Sequence, residues 1–387
     1  MSYFHLNFIL KGKLTVCCLL MLSAMPLNAQ REAKQIGDFK ESISLNEHLR
    51  GTKRTLQYRP DGDEFVCVNG KNRYTRALYG SHSPFRVETS DRPVFAFYNN
   101  GRGGNISFKV ILRDGTELAL DCTGHCESRY SAGKRTYYLT DPSWGKGELR
   151  ISVLALADMD GAIWRFSPSN MPKGAILRWQ HGGATGKRLS RNGDMGVDPA
   201  DCFELPVEAT DLVTGELPLQ KEVYLVRGEV PEDYNVRKLY QQAEAASLAL
   251  ASHLKIETPD PYLNTLGGAL VAAADGIWDG QVWLHGAIGW RMPLSGWRAG
   301  YTGDALGWHD RARTHFDAYA ASQVTDVPNT IPHPAQDSTM NLARSEKRWG
   351  TPQYSNGYIC RNPERNNQMH HYDMNLCYMD ELLWHFN

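Results

Sequence analysis

The apolar pattern of this chain changes its period once, at Val230-Pro231, and that change limits what each side of it can fold into. Before it, short apolar runs are separated by tight-turn pairs. Asn69-Gly70 divides Glu64–Val68 from Asn72–Tyr74, and Asp114-Gly115 divides Ile106–Leu112 from Glu117–Leu120, both hairpin signatures. Leu149, Ile151 and Val153 alternate as in a half-buried strand, and Asp160-Gly161 leads into a further run, Ala162–Phe166. Many short strands with little helical period predict a β-sandwich over residues 30–230. After Pro231 the pattern is helical. Glu232–Leu254 is rich in Ala, Leu, Gln and Glu with no Gly or Pro, which predicts a linker helix within residues 231–257, closed by Thr258-Pro-Asp-Pro261. Tyr262–Ile277, Gly303–Ala321 and His371–Phe386 predict three more helices, joined by long Gly/Trp/Pro-rich segments of the length that usually carries function.

The first 29 residues read as a secretory signal: Lys11 and Lys13, the apolar run Leu14–Leu27, then Leu27-Asn28-Ala29 before Gln30. The run is too short to span a bilayer, so the expected location is periplasmic or extracellular, with no membrane span. With 42 basic against 43 acidic residues, the charge gives no reason to expect nucleic acid or an anionic membrane as partner. Beyond the signal lie Cys67, Cys122, Cys126, Cys202, Cys360 and Cys377. Cys122 and Cys126 are close enough in sequence for a local disulfide or remain free thiols. With His125 they fall short of a zinc site, for want of a second ligand pair. Gly182–Lys187 has the wrong spacing for a phosphate-binding loop. No metal and no cofactor is expected.

Five of the ten tryptophans, Trp278, Trp283, Trp290, Trp297 and Trp308, crowd into one stretch that also carries arginines, histidines and carboxylates. A purely hydrophobic core would not intersperse so many charges, because each buried charge needs a partner. A sugar explains the mixture: the apolar face of a pyranose packs on indole, and its hydroxyl rim needs Arg, Asp and His. Trp297, Arg298, Tyr301, Trp308 and His309, with Arg291 behind them and His371 further on, are the expected substrate contacts. Each tryptophan singly is as readily explained by packing. The Gly-rich Asn99–Asn105 reads as a sandwich loop able to reach over such a site.

The segments Val68-Asn-Gly-Lys-Asn-Arg-Tyr-Thr-Arg-Ala-Leu-Tyr-Gly80, Gly296-Trp-Arg-Ala-Gly-Tyr-Thr-Gly-Asp-Ala-Leu-Gly-Trp-His-Asp310 and His371-Tyr-Asp-Met-Asn375, set in a sandwich, connecting helix and helical hairpins, resemble a domain-of-unknown-function family attached to the six-hairpin glycosidases. Those proteins are exported by glycan-degrading Gram-negative bacteria. The resemblance covers most of the chain beyond its signal and implies a multidomain β plus α fold, an N-terminal β-sandwich followed by an (α/α)6 toroid. A full toroid needs more helices than residues 234–387 supply, so the expected toroid, over 258–387, is partial. The chain stops inside an amphipathic pattern, as a fragment of a longer protein would, or a helix that packs its last residues on the body.

Glycoside hydrolysis uses two carboxyl groups, in the inverting form roughly 6.5–9.5 Å apart. The resemblance places such groups in loops or first turns, which selects Asp304, Glu364 and Asp373, with Asp310 and Glu381 in reserve. Asp304 and Asp373 can equally be helix caps, and Glu364 can be a surface partner of Arg361 or Arg365. On a continuous helix Asp304 would share a face with Trp308, Arg311 and His315. His370, His371 and Asp373 do not make a metal site, since adjacent side chains diverge. The expected function is an exported glycoside hydrolase acting on an oligosaccharide or polysaccharide. The alternatives are a non-catalytic glycan-binding protein or a truncated inactive enzyme, and then a polysaccharide lyase.

Overall fold

A computed structural model describes residues 57–70, 74–99, 102–188, 212–284 and 302–323, with a short strand pair at Gln336–Asp337 and Leu342–Ala343. The segment read as a signal, the helix expected at His371–Phe386, and Cys202, Cys360 and Cys377 lie outside the described residues.

The alternating segments form strands β1 (Arg59–Asp61), β2 (Glu64–Val68), β3 (Tyr74–Leu78), β4 (Arg86–Ser90), β5 (Phe95–Asn99), β6 (Arg102–Ile111), β7 (Glu117–Ala119), β8 (His125–Ser131), β9 (Lys134–Thr140), β10 (Glu148–Ala155), β11 (Gly161–Ser169), β12 (Ile176–Arg188), β13 (Val213–Pro218) and β14 (Val223–Gly228). They make two antiparallel sheets. One has the order β1-β2-β8-β9-β10-β11-β14, and the other β13-β12-β6-β5-β4-β3 with β7 beside β6. The inward residues of each meet in one core, where Phe95 of the second sheet sets its ring edge-on to Tyr137 and Trp164 of the first at 5.7 and 5.6 Å. Leu149, Ile151 and Val153 are buried in that core as their alternation predicted.

Asp114-Gly115 does turn β6 into β7, with Gly115 at φ 90°, and Asp160 precedes the strand β11 that pairs with β10. Asn69-Gly70 does not make a hairpin. Asn69 has φ 51°, and the chain there leaves β2 in one sheet for β3 in the other. Asn69 is held instead by Cys126 of β8, the strand beside β2: its backbone N–H donates to the Cys126 carbonyl at 2.8 Å and its side-chain oxygen accepts from the Cys126 N–H at 2.9 Å. Two glycine-rich segments are also strand rather than loop. Gly182–Lys187 lies inside β12, and Asn99 is already paired with Arg102, so the segment expected to reach over a site belongs largely to β5 and β6.

Three helices follow: α1 (Val236–Ala251), α2 (Pro261–Gly276) and α3 (His309–Ala321). Asn235 caps α1 by accepting from the Lys238 N–H, and Asp260 caps α2 ahead of Pro261 in the first turn. α1 is no free linker. Its Leu239, Tyr240 and Ala243 pack on Leu154 and Ile163, and Lys134 Nζ meets Glu244 Oε1 at 2.9 Å. α2 is tied to the strands through Thr265, whose hydroxyl lies 3.0 Å from the Gly62 carbonyl. The helix expected over Gly303–Ala321 is broken: residues 302–305 form a short helical turn, Gly307 takes φ 70°, and α3 starts at His309. Among the described residues no helix is long and apolar enough to cross a membrane.

Candidate functional site

The aromatic-rich stretch folds around the C-terminal end of α2 and the start of α3. After Gly276 the chain forms a tight bridge between Trp278 and Trp283, whose rings lie 4.6 Å apart. Both indoles are buried, and Trp283 Nε1 donates to the Ala274 carbonyl at 3.1 Å. Behind them His315 of α3 is fully buried and accepts from the Trp283 N–H through Nδ1 at 3.3 Å. These three are packing groups, and His315 does not share an exposed face with Asp304.

One turn earlier on α3, Arg311 points elsewhere. Its guanidinium lies 4.3 Å from the ring centre of Trp308 and 5.8 Å from that of Trp278, and Nη1 meets Asp275 Oδ1 at 2.7 Å. His82, from the loop between β3 and β4, brings Nε2 to 3.2 Å from the same oxygen. The two partners of the carboxylate come from different elements, His82 from the β3–β4 loop and Arg311 from α3. Asp275 sits in the last turn of α2, where the helix dipole disfavours an anion, so the Arg311 guanidinium and the His82 hydrogen bond answer a local cost. Burial pushes the Asp275 carboxyl up, but the hydrogen bonds from His82 and Arg311 outweigh it and hold it below the usual carboxylate range. It is therefore ionised at neutral pH, suited to accept protons or hydrogen bonds rather than to act as an acid.

The side chains of Arg311 and Asp275 keep 26% and 21% of their exposure, so the pair is reachable by a ligand. Trp308 is half-buried, with the His253 ring 5.2 Å from its own, and His253 Nε2 bonds the Leu306 carbonyl. On the other flank Asp304 Oδ1 lies 3.3 Å from Nδ1 of the exposed His309. Asp304 does not cap α3, whose N-cap is Trp308 without a side-chain bond.

Of the expected residues, Asp304, Trp308 and His309 are brought together beside Arg311, and the reserve Asp310 is exposed in the first turn of α3. Arg291, Trp297, Arg298, Tyr301, Glu364, His371, Asp373 and Glu381 lie outside the described residues. Sequence reasoning missed Asp275 and His82. The signal for Asp275 was available: an aspartate in the last turn of a helix, directly before Gly276-Ile-Trp278, needs a reason to be there. Nothing in the sequence marked His82, which is brought in only by the sheet topology. Among the described residues no group of three His, Cys, Asp or Glu side chains is placed to hold a metal ion. Cys122 and Cys126 are not joined to each other, and burial pushes the Cys126 thiol up to about 12.

Residues 100–229 match the sequence model of a family described as Domain of unknown function (DUF4450). The match runs from the start of β6 to the end of β14 and includes neither the helices nor the Trp308–Arg311–Asp275 cluster. No curated protein matches the chain.

Proposed function

We propose that the protein is an exported glycoside hydrolase whose sugar site is centred on Arg311, Asp275 and Trp308, with the helices that follow the two-sheet domain forming part of an (α/α)6 toroid. The observation that carries this reading is the guanidinium held between an indole face and an ionised, partly exposed carboxylate. A pyranose has the matching chemistry, an apolar face for Trp308 and hydroxyls for Arg311 and Asp275. In a two-carboxylate displacement, water attacks the anomeric carbon and gives its proton to a carboxylate, while the glycosidic oxygen leaves with a proton from a carboxylic acid. Asp275 suits the first of these roles. The acid is sought among Asp304, Glu364 and Asp373. The apolar run Leu14–Leu27 supports export to the periplasm or beyond.

A second reading, a glycan-binding protein without turnover, is favoured by one observation: both described carboxylates of the cluster already face cationic or imidazole partners, Asp275 with Arg311 and His82, and Asp304 with His309. The lyase reading is weakened because Arg311, the described guanidinium of the site, is matched to Asp275 rather than left to neutralise a uronate. Reducing-sugar release from plant and host glycans by the purified chain tests the proposal. Turnover that disappears in Asp275→Asn or Asp304→Asn with the fold intact supports a hydrolase. Binding without turnover in the wild type supports the second reading.

A further inference from the structure

We propose that the loop Tyr79–Pro84 of the two-sheet domain is a built part of this site and that His82 is its positioning residue, fixing Asp275 jointly with Arg311. This deepens the glycan reading and rests on it.

The loop is held by its own domain at close quarters. A Cβ on Gly80 would lie 1.7 Å from the Leu156 carbonyl oxygen, and the Asp158 N–H donates to the Gly80 carbonyl at 2.6 Å. Ser81 donates to Asp160 Oδ1 at 2.7 Å, and the Ser83 hydroxyl donates to the same oxygen while accepting from the Phe85 N–H at 3.0 Å. The loop is thus anchored on the β10–β11 turn before it meets the helix.

On its far side it meets α2 at two neighbouring residues. The Tyr79 ring lies against Gly276 so closely that a Cβ there would be 2.2 Å from it, and His82 Nε2 reaches Asp275 Oδ1 at 3.2 Å. Arg311 Nη1 shares that oxygen at 2.7 Å. Both donors converge on Oδ1, whereas Oδ2 accepts no hydrogen bond from the described residues, so the clamp fixes the carboxylate and leaves its second oxygen for a ligand hydroxyl or a water. With Arg311 alone, the carboxylate would be free to turn about its side-chain torsions; a second donor from another direction removes that freedom. His82 touches no reacting atom in this account and acts through Asp275.

The test compares His82→Ala, His82→Gln and Arg311→Ala with the wild type, using neutral oligosaccharides released by acid from plant cell walls and titrated calorimetrically, with thermal unfolding of each variant alongside. Loss of one hydrogen bond to a charged group predicts roughly tenfold weaker binding for His82→Ala, and His82→Gln, whose amide donates at similar reach, restores most of it. Wild-type affinity in His82→Ala beside lost binding in Arg311→Ala overturns the inference while leaving the proposed function standing. If the wild-type protein binds none of these sugars, the glycan reading fails instead. The clamp itself is then decided by a double-mutant cycle of His82→Ala with Asp275→Asn, in which non-additive unfolding shifts support it and additive ones overturn it.

Discussion

Two arginine–aspartate–aromatic clusters of the described residues stand in contrasting settings. In the two-sheet core, Arg135 Nη2 and Asp91 Oδ1 are 3.9 Å apart, both wholly buried, with Tyr58 hydrogen-bonded to each and the Arg135 guanidinium stacked near Tyr58 and Tyr137. At the end of α2, Arg311 and Asp275 are 2.7 Å apart, partly exposed, with indoles in place of the phenols. The same three ingredients lead to different consequences because of access. The sealed cluster can only hold the sheets in register, and losing one member strands a charge in a low dielectric. The open cluster contributes little to stability, as partly exposed ion pairs do, and its groups remain available to a ligand. Composition does not separate the two; burial does.

That contrast is sharpest where the effects are largest. Trp164→Ala empties the centre of the aromatic core and is expected to cost about 3–5 kcal/mol in denaturant unfolding. Arg135→Ala removes the guanidinium buried beside Asp91 and is expected to cost about 3–5 kcal/mol in the same measurement. A cost under about 1 kcal/mol, the range of an exposed pair, would break the comparison. Gly276→Ala drives a methyl into the Tyr79 ring and is expected to cost about 1–3 kcal/mol, with the loss of any glycan affinity following from the displaced loop. Arg311→Ala should shift stability by only about 0–1 kcal/mol, readable as a small change in the unfolding midpoint.

The smallest effect is a pH dependence. Because the folded Asp275 carboxyl lies below its ordinary value of 3.8, its contribution is fully present above that value and fades as pH falls from there through the folded value. Unfolding midpoints followed downward from pH 5 should therefore fall more steeply for the wild type than for Asp275→Asn. Equal slopes would mean that the pair does not stabilise the charged form.

Local signals carried the fold a long way. The alternation of Leu149, Ile151 and Val153, the Asp114-Gly115 turn and the Gly-free run of α1 are each satisfied by neighbours near in sequence, and each is found where expected. Asn69-Gly70 misled because a left-handed Asn serves a sheet-to-sheet crossing as well as it serves a hairpin. The helix over Gly303–Ala321 was drawn too long because its apolar period continues across Gly307, whose positive φ interrupts the backbone. The site was legible in part. Trp308, His309 and Asp304 announced themselves by clustering in sequence, whereas Asp275 and His82 are 193 residues apart and meet only because α2 packs beside the β3–β4 loop.

The central claim is that the open arginine–aspartate pair is a ligand site and the sealed pair is not. Calorimetric titration of the neutral plant oligosaccharides into Arg311→Ala and into the wild-type protein, both verified as folded by their unfolding transitions, tests it most directly. The account predicts saturable binding to the wild type and at least a roughly tenfold loss in the variant at nearly unchanged stability. Equal affinity in the two proteins would contradict it.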